Sequence, residues 1–291
     1  MKKDTSIWLV TSAHLKRGLW FQEEQDFKVG MNYVASLAAI SPVSILAFIL
    51  MSNHVHFVIM GTKNDSKEFV VELKRRYSNY YQRKYHTGKL LKHNDIDTRE
   101  APLADEAAER AIAYVIMNCV AANICSHPTQ YPWGSGNVYY NVVAPVGIRL
   151  DSVSERKRMR LLHSKTALPG NWLLSESGYV LPSSYVSGEF VERLFRYPKR
   201  MDYFLRTSSK ARKRLEAGQE SQPSFKDQTI VRIIPELCLA LFNKTSFKEL
   251  SEEQQTEFLR QLQFRFSSNV HQLARITELS YDETARKLDA Q

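Results

Sequence analysis

The sequence has few of the features that mark secreted, membrane-bound or zinc-stabilised small proteins. Its three cysteines, Cys119, Cys125 and Cys238, are odd in number and none lies in a C-x-x-C pair, so neither a disulfide framework nor a zinc knuckle is expected. The longest strongly apolar run, residues 45–51, is far shorter than the ~20 residues that span a bilayer. No secretory leader is recognisable before the first apolar stretch. We therefore expect a cytoplasmic protein without a membrane partner.

Glycine and proline are also scarce, with 11 and 10 residues in a chain of 291. Together with a hydrophobic content of 43%, this scarcity excludes a mainly disordered chain and leaves room for one large or two modest domains. Positive charge is in excess, since 40 Lys and Arg face 31 Asp and Glu, and it is spread over both halves. A net charge of +9 indicates an anionic partner, and nucleic acid is favoured because no cationic amphipathic anchor is visible.

The hydrophobic pattern of the first half predicts alternating strands and helices. Strands are expected at 6–11, 44–51, 54–60 and 94–99, and helices at 24–39, 66–85 and 105–124. The order β-α-β-β-α-β is that of a ferredoxin-like split βαβ unit, so we expect an antiparallel α+β fold in residues 1–150. Residues 151–291 are expected to be mainly helical. A fold of this kind hosts many functions and selects none of them.

The sharpest local pattern lies on the third predicted strand. Side chains alternate between the two faces of a strand, so His54 and His56 share one face while Val55 and Phe57 share the other. Two imidazoles spaced in this way can point at one metal ion. The alternative is an ordinary strand with two polar positions on its wetter face, and the metal site gains weight only if a third ligand and a nucleophile lie nearby.

The predicted helix at 105–124 offers candidates for both roles. Tyr114 and Asn118 are four residues apart and therefore stand one turn apart on the same side of the helix. Small alanines surround them, which indicates a face with room for a ligand. The alternative is a helix packed on both faces, in which Tyr114 is a core residue.

These motifs, in this order, resemble a known family. Met51-Ser52-Asn53-His54-Val55-His56 resembles the histidine-hydrophobe-histidine motif of single-tyrosine HUH transposases, especially the REP-associated tyrosine transposases. Residues 113–118 resemble the tyrosine helix of that family, and residues 8–12 its first strand. Leu19-Trp20-Phe21 with Asp26 resembles the approach to the first helix, and residues 131–135 the segment after the tyrosine helix. The resemblance covers about residues 5–140.

The resemblance implies a DNA transposase that cleaves and rejoins single-stranded DNA. In the family's scheme, Tyr114 would be the nucleophile that forms a 5′-phosphotyrosine, and His54, His56 and Asn118 would hold Mg²⁺ or Mn²⁺. The expected partner is single-stranded or hairpin DNA. The resemblance leaves open whether one chain or a homodimer completes the site.

Several basic and aromatic residues are predicted DNA contacts. On the helix at 66–85, Tyr77 and Tyr81 recur with the core spacing, whereas Tyr80 lies among the basic residues and could stack on a base. A second basic stretch with interleaved aromatics runs from 193 to 214. For both stretches the alternative is a solvated basic surface. The predicted contacts are Lys74, Arg75, Arg76, Tyr80, Arg83, Lys84, Arg196, Lys199, Arg200, Arg212, Lys213, Arg214, Arg275, Arg286 and Lys287.

The last 24 residues predict a helix-turn-helix at 268–288. Its turn is Glu278-Leu279-Ser280, and its second helix would enter the major groove of duplex DNA. Residues 151–291 are thus expected to form a DNA-binding extension.

Two other functions are alternatives to the transposase: a domesticated protein that binds DNA repeats or hairpins without cutting, and a relaxase or replication initiator. A pure binder would need neither the histidine pair nor the tyrosine, and no helicase-like addition is visible.

Overall fold

The computed structural model describes residues 5–15, 18–87, 91, 95–122, 124–209 and 225–289. Its centre is a four-stranded antiparallel sheet formed by β1 (Ser6–Ser12), β2 (Ser44–Met51), β3 (His54–Gly61) and β4 (Ile96–Glu100), in the order β2-β3-β1-β4. Helix α1 (Glu24–Ala38) joins β1 to β2, and α2 (Lys63–Tyr85) joins β3 to β4. The predicted α+β class, with an antiparallel sheet and helices, is confirmed.

Side-chain alternation on β3 separates the two faces of this sheet. Phe57 points toward α2, where its ring lies 5.5 Å from that of Phe69, centroid to centroid. His56 points to the opposite face and lies beside Tyr114 of α3 (Ala107–Ile116). Because β3 is buried along nearly its whole length, both faces are covered: α1 and α2 pack on one side and α3 on the other.

Two helix boundaries differ from the sequence prediction. Helix α2 begins at Lys63 rather than at residue 66, because Thr62 is the N-cap and its hydroxyl accepts a hydrogen bond from the amide of Asp65. The helix predicted at 105–124 is divided: α3 ends at Ile116, and a short helix α4 (Asn118–Ala121) follows the turn at Met117. This break falls between the predicted nucleophile and the predicted carboxamide ligand.

Chain segments beyond residue 150 extend the same core. Helix α5 (Glu155–Leu162) is followed by the short strand β6 (Leu173–Leu174), which pairs with β5 (Ile148–Arg149). Helices α6 (Gly188–Phe195) and α7 (Pro198–Thr207) then contribute Val191, Phe195 and Phe204 to the apolar core that contains the sheet. Residues on both sides of position 150 therefore share one apolar core.

The last four described helices surround a core of their own. They are α8 (Asp227–Phe242), α9 (Glu252–Phe266), α10 (Val270–Thr277) and α11 (Tyr281–Asp289). Ile230, Phe258, Leu262 and Leu273 are fully buried in this second apolar cluster. The segment predicted as a helix-turn-helix, residues 268–288, contains α10 and most of α11, and Glu278-Leu279-Ser280 connects the two helices. Within the described residues, no helix has both the length and the apolar character needed to cross a membrane.

Candidate metal and tyrosine site

The two histidines of β3 are buried on the face of the sheet that carries α3. Their ring centroids are 4.7 Å apart and the rings are nearly perpendicular, at 86°. His56 lies opposite Thr11 in the β1–β3 register, and His54 follows directly on the Ser52-Asn53 turn. The strand alternation read from the sequence therefore brings the two imidazoles together on one face.

A third histidine, His14, joins them. Its ring stacks on that of His54 with centroids 3.7 Å apart and an interplanar angle of 13°. One ligand nitrogen from each of His14, His54 and His56 can be chosen so that all three lie within 4.8 Å of one another. His14 was not predicted from the sequence because it lies in the loop after β1, where no periodicity fixes the direction of a side chain. Its position two residues beyond the end of β1 was the one available signal.

Hydrogen bonds to the Nδ1 atoms of His54 and His56 orient the two imidazoles. The Nδ1 atom of His54 lies 2.8 Å from Asn53 Oδ1, and the Nδ2 of Asn53 donates to the carbonyl of Leu15 at 3.0 Å. Because the Asn53 amide thus uses its nitrogen as a donor, its oxygen accepts a hydrogen bond from the protonated Nδ1 of His54, and the lone pair on Nε2 can serve as the ligand. On His56, Nδ1 lies 2.9 Å from the hydroxyl of Thr11.

Tyr114 is half-buried beside these histidines. Its ring meets that of His56 edge-on, with centroids 5.5 Å apart and an angle of 85°. Burial raises the pKa of the Tyr114 hydroxyl, and the positive charge of Arg99 on β4 opposes that rise. The contact with His56 shows that Tyr114 faces the histidines of its own chain. Arg99 was not among the residues chosen from the sequence.

Asn118 occupies the break between α3 and α4. Its Nδ2 donates to the carbonyls of Tyr114 and Val115, at 2.9 and 3.1 Å, where the helical hydrogen bonding is interrupted. The amide nitrogen is thereby turned toward its own helix. Asn118 is buried and lines the same cavity as His14 and His54.

That cavity has a volume of about 800 Å³ and two walls of different origin. One wall comes from the sheet unit and includes His14, His54 and Asn118. The other comes from the C-terminal helices and includes His271 and Tyr281. The proposed site therefore opens toward the helix pair α10–α11.

The predicted DNA contacts on α2 are mostly engaged within the chain. Arg75 and Arg76 both bond Glu72, and the hydrogen bonds from Arg75 are the main cause that lowers the pKa of that carboxyl to about 2. Lys74 is buried and directs its ammonium toward the carbonyl of Asp95. Arg83 is exposed.

Tyr80 and Lys84 belong to a network around Asp26, which is fully buried at the start of α1. The carboxylate of Asp26 accepts hydrogen bonds from the hydroxyls of Tyr80 and Tyr85, at 2.9 and 2.6 Å, and an ion pair from Lys84 at 2.5 Å. Burial, more than any other cause, raises the pKa of Tyr80 to about 12. Both side chains therefore join α2 to the first turn of α1.

The remaining predicted contacts divide between exposed and paired positions. Arg196, Lys199 and Arg286 are exposed. Arg200 bridges Glu106, which precedes α3, and Glu109 on α3, at 3.2 and 3.0 Å. Arg275 pairs with Asp227, and the buried Lys287 pairs with Glu252. Arg212, Lys213 and Arg214 lie outside the described residues.

Comparison with known proteins gives a structural likeness. Neither a protein-family model nor a curated protein matches the chain. Among solved structures, the chain is similar to one described as "Structure of the REP associates tyrosine transposase bound to a REP hairpin". The two share 12% sequence identity, the likeness covers 45% of this chain and 77% of that one, and the TM-score is 0.36.

Proposed function

We propose that this protein is a DNA strand-transfer enzyme of the single-tyrosine HUH type, with Tyr114 as its nucleophile. The observation that carries the proposal is the contact between Tyr114 and His56, which places a phenol beside a cluster of three imidazoles in one chain. We further propose that the strand order β2-β3-β1-β4 and the helices α1 and α2 form a ferredoxin-like split βαβ unit. That unit presents the histidines on the face opposite α1 and α2.

The donor set fits a divalent ion. His54 and His56 would supply two ligands, and the third would come from His14 or from the carboxamide oxygen of Asn118, since both line the cavity beside His54. Neutral nitrogen donors suit Mn²⁺ and leave coordination positions for phosphate oxygens, and Mg²⁺ is the alternative. Such an ion would polarise the scissile phosphate and offset the charge that develops on its oxygens.

Tyr114 would carry out the covalent step. Its Oη forms a bond to the scissile phosphorus while the bond from phosphorus to the 3′ oxygen breaks, and the phenolic proton is balanced by protonation of that oxygen. The products are a 5′-phosphotyrosine and a free 3′-hydroxyl. Because the phosphodiester energy is kept in the protein–DNA bond, attack by another 3′-hydroxyl rejoins a strand without ATP.

DNA is the proposed partner, in single-stranded or hairpin form. The net charge of +9 favours a polyanion, and Arg83, Arg196 and Lys199 are exposed cations. We propose residues 1–150 as the catalytic part, because they supply every proposed ligand and the nucleophile. Residues 151–291 are proposed as a DNA-binding extension, with the α10–α11 pair as a helix-turn-helix. Replacing the exposed Arg286 with Ala should then weaken duplex binding several-fold in a titration and leave covalent attachment to single strands unchanged.

The central test is covalent capture of DNA. Wild-type protein incubated with a single-stranded hairpin and Mn²⁺ should give a protein–DNA band that survives denaturation. Tyr114→Phe and His56→Ala should lose that band, whereas Tyr203→Phe, at an exposed position on α7, should keep it. A band that persists in Tyr114→Phe would refute the assigned nucleophile. Binding without any band in the wild type would favour the second candidate, a DNA repeat- or hairpin-binding protein that does not cut.

A further inference from the structure

The wall that the C-terminal helices contribute to the cavity is anchored to the histidine turn by buried polar bonds. The hydroxyl of Ser52 donates to Asp227 Oδ2 at 2.5 Å, and the side chain of Gln228 donates to the carbonyl of Phe21 at 2.8 Å. Asp227 in turn accepts from Gln272 on α10 at 2.8 Å. The bonds of Asp227 join α8 and α10 to the turn that precedes His54, and the bond of Gln228 joins α8 to the segment before α1, so the cavity is a built feature of the fold.

An exposed aromatic ledge lies on this wall. The rings of His271 and Tyr281 have centroids 4.5 Å apart and are inclined by 31°, and both residues line the cavity. Tyr281 keeps 47% of its surface accessible although it faces another ring. Flat, accessible rings of this kind are the surfaces on which proteins stack unpaired bases.

Three carboxamide side chains line the same wall as these two rings, and a hydrogen bond holds one end of each amide. Gln272 uses its Nε2 on Asp227 and on the carbonyl of Phe225, and Gln228 uses its Nε2 on Phe21. Asn269 uses its Oδ1 to cap the amide of Gln272. Among the described residues, no hydrogen bond involves the opposite end of these three amides. Carboxamides held in this way offer oriented donors and acceptors for the edge of a base.

The charges of this wall favour a base over a phosphate. The guanidinium of Arg275 is directed to Asp227, and the other two charged residues of the lining, Lys226 and Asp282, are opposite in sign. The cavity volume of about 800 Å³ falls in the range of ~300–1,000 Å³ that is typical of ligand sites. Aromatic rings, fixed amides and little net positive charge together match a nucleobase.

We propose that the cavity between the histidine cluster and the α10–α11 pair binds unpaired DNA bases next to the phosphate to be cut. This inference rests on the proposed function, because His14 and His54 on the opposite wall belong to the histidine cluster that would hold that phosphate. The helix pair would then select the nucleotides at the cleavage position through their bases. The ledge of His271 and Tyr281 supplies stacking, and the carboxamides supply discrimination between bases.

The test is binding of fluorescent single-stranded octanucleotides to the full chain in EDTA, where metal-dependent cutting is suppressed. Tyr281→Leu should weaken binding about 5- to 100-fold, the range expected when one base loses an aromatic partner. The matched control is Phe264→Leu on α9, since Phe264 is 87% exposed and lies off the cavity. Equal affinities of Tyr281→Leu and the wild type for the octanucleotides would overturn the proposal.

Base selection is tested with the four homopolymers. The wild type should bind one or two of them more tightly than the others. Asn269→Ser should reduce this difference in affinity, because serine preserves the helix cap and removes the carboxamide. Equal binding of all four homopolymers by the wild type would contradict base recognition.

Covalent capture of DNA distinguishes a failure of this inference from a failure of the proposed function. If Tyr281→Leu loses single-strand binding but the wild type forms no covalent adduct, the assigned nucleophile is rejected and base binding in the cavity is supported. If the wild type forms the adduct but Tyr281→Leu binds single strands equally well, the nucleophile is supported and base binding in the cavity is rejected.

Discussion

Ser52 and Asp227 are hydrogen-bonded at 2.5 Å although 175 positions separate them in the chain. Ser52 lies in the turn between β2 and β3, two residues before His54, and Asp227 is the first residue of α8. The same carboxylate pairs with Arg275 of α10 at 3.2 Å. One buried side chain thus links the C-terminal helices to the turn that positions the proposed metal ligands.

Asp227→Asn should loosen this junction. The substitution removes the charge that neutralises Arg275 in a buried setting, so we expect a loss of about 1–3 kcal/mol in the free energy of unfolding. Hydrogen exchange should rise first in α8 and α10. Asp282→Asn, at an exposed acid of the same cavity, is the control and should change stability by less than about 0.5 kcal/mol. Unchanged exchange in Asp227→Asn would show that the carboxylate does not hold the two parts together.

Asn53 should govern metal affinity although it is not a proposed ligand. Its Oδ1 fixes His54 through Nδ1, and loss of such a supporting bond typically weakens metal binding 10- to 100-fold. Titration calorimetry with Mn²⁺ should show that loss for Asn53→Ala. Asn53→Asp retains an oxygen acceptor and should recover most of the affinity. If Asn53→Ala bound Mn²⁺ as tightly as the wild type, the assigned orientation of His54 would be wrong.

The third ligand can be assigned by comparing two variants. Because His14 already has a ligand nitrogen within 4.8 Å of those of His54 and His56, we expect His14→Ala to lower the affinity for Mn²⁺ at least tenfold. Asn118→Ala should have a smaller effect, since its amide nitrogen is bonded to the helix backbone. The reverse ranking would assign the third position to Asn118, as the family resemblance implies. His127→Ala, at an exposed histidine outside the cluster, serves as the control.

Glu72 should make stability depend on acid pH. Hydrogen bonds from Arg75, and to a lesser extent Arg76, lower its pKa from 4.5 to about 2. A carboxyl with a lowered pKa in the folded state adds stability above pH 4.5, and that contribution is lost as the pH falls from 4.5 toward 2. Glu72→Gln should therefore destabilise the protein at pH 6, by about 1 kcal/mol or less because the group is partly exposed, and by a smaller amount at pH 3, where part of the contribution is already lost.

Urea unfolding at the two pH values measures this difference. Glu68→Gln, at an exposed acid earlier on α2, should show no such change between pH 6 and pH 3. A constant effect of Glu72→Gln at both values would contradict the lowered pKa. The same variant releases Arg75 and Arg76, so stronger and more salt-dependent DNA binding would support their predicted role as DNA contacts.

The sequence by itself determined the local features of the site. The alternation of β3 put His54 and His56 on one face, and the helical spacing put Tyr114 one turn before Asn118. The turn at Ser52-Asn53 and the helix pair at 268–288 were also readable, because turns and helices depend on neighbours in the chain. These patterns were sufficient for an α+β sheet with a histidine pair, and the family resemblance supplied the proposed chemistry.

Only the tertiary structure decided which distant groups meet. His14 lies in a loop without periodicity, and its stacking on His54 depends on the path of the chain after β1. Tyr80, Lys84 and Arg275 look like exposed cations and aromatics in the sequence, yet each meets a buried carboxylate, Asp26 or Asp227, from another helix. Whether a charged side chain forms an ion pair depends on the residues that the fold brings next to it from distant parts of the chain. The sequence pattern of one helix does not identify those residues.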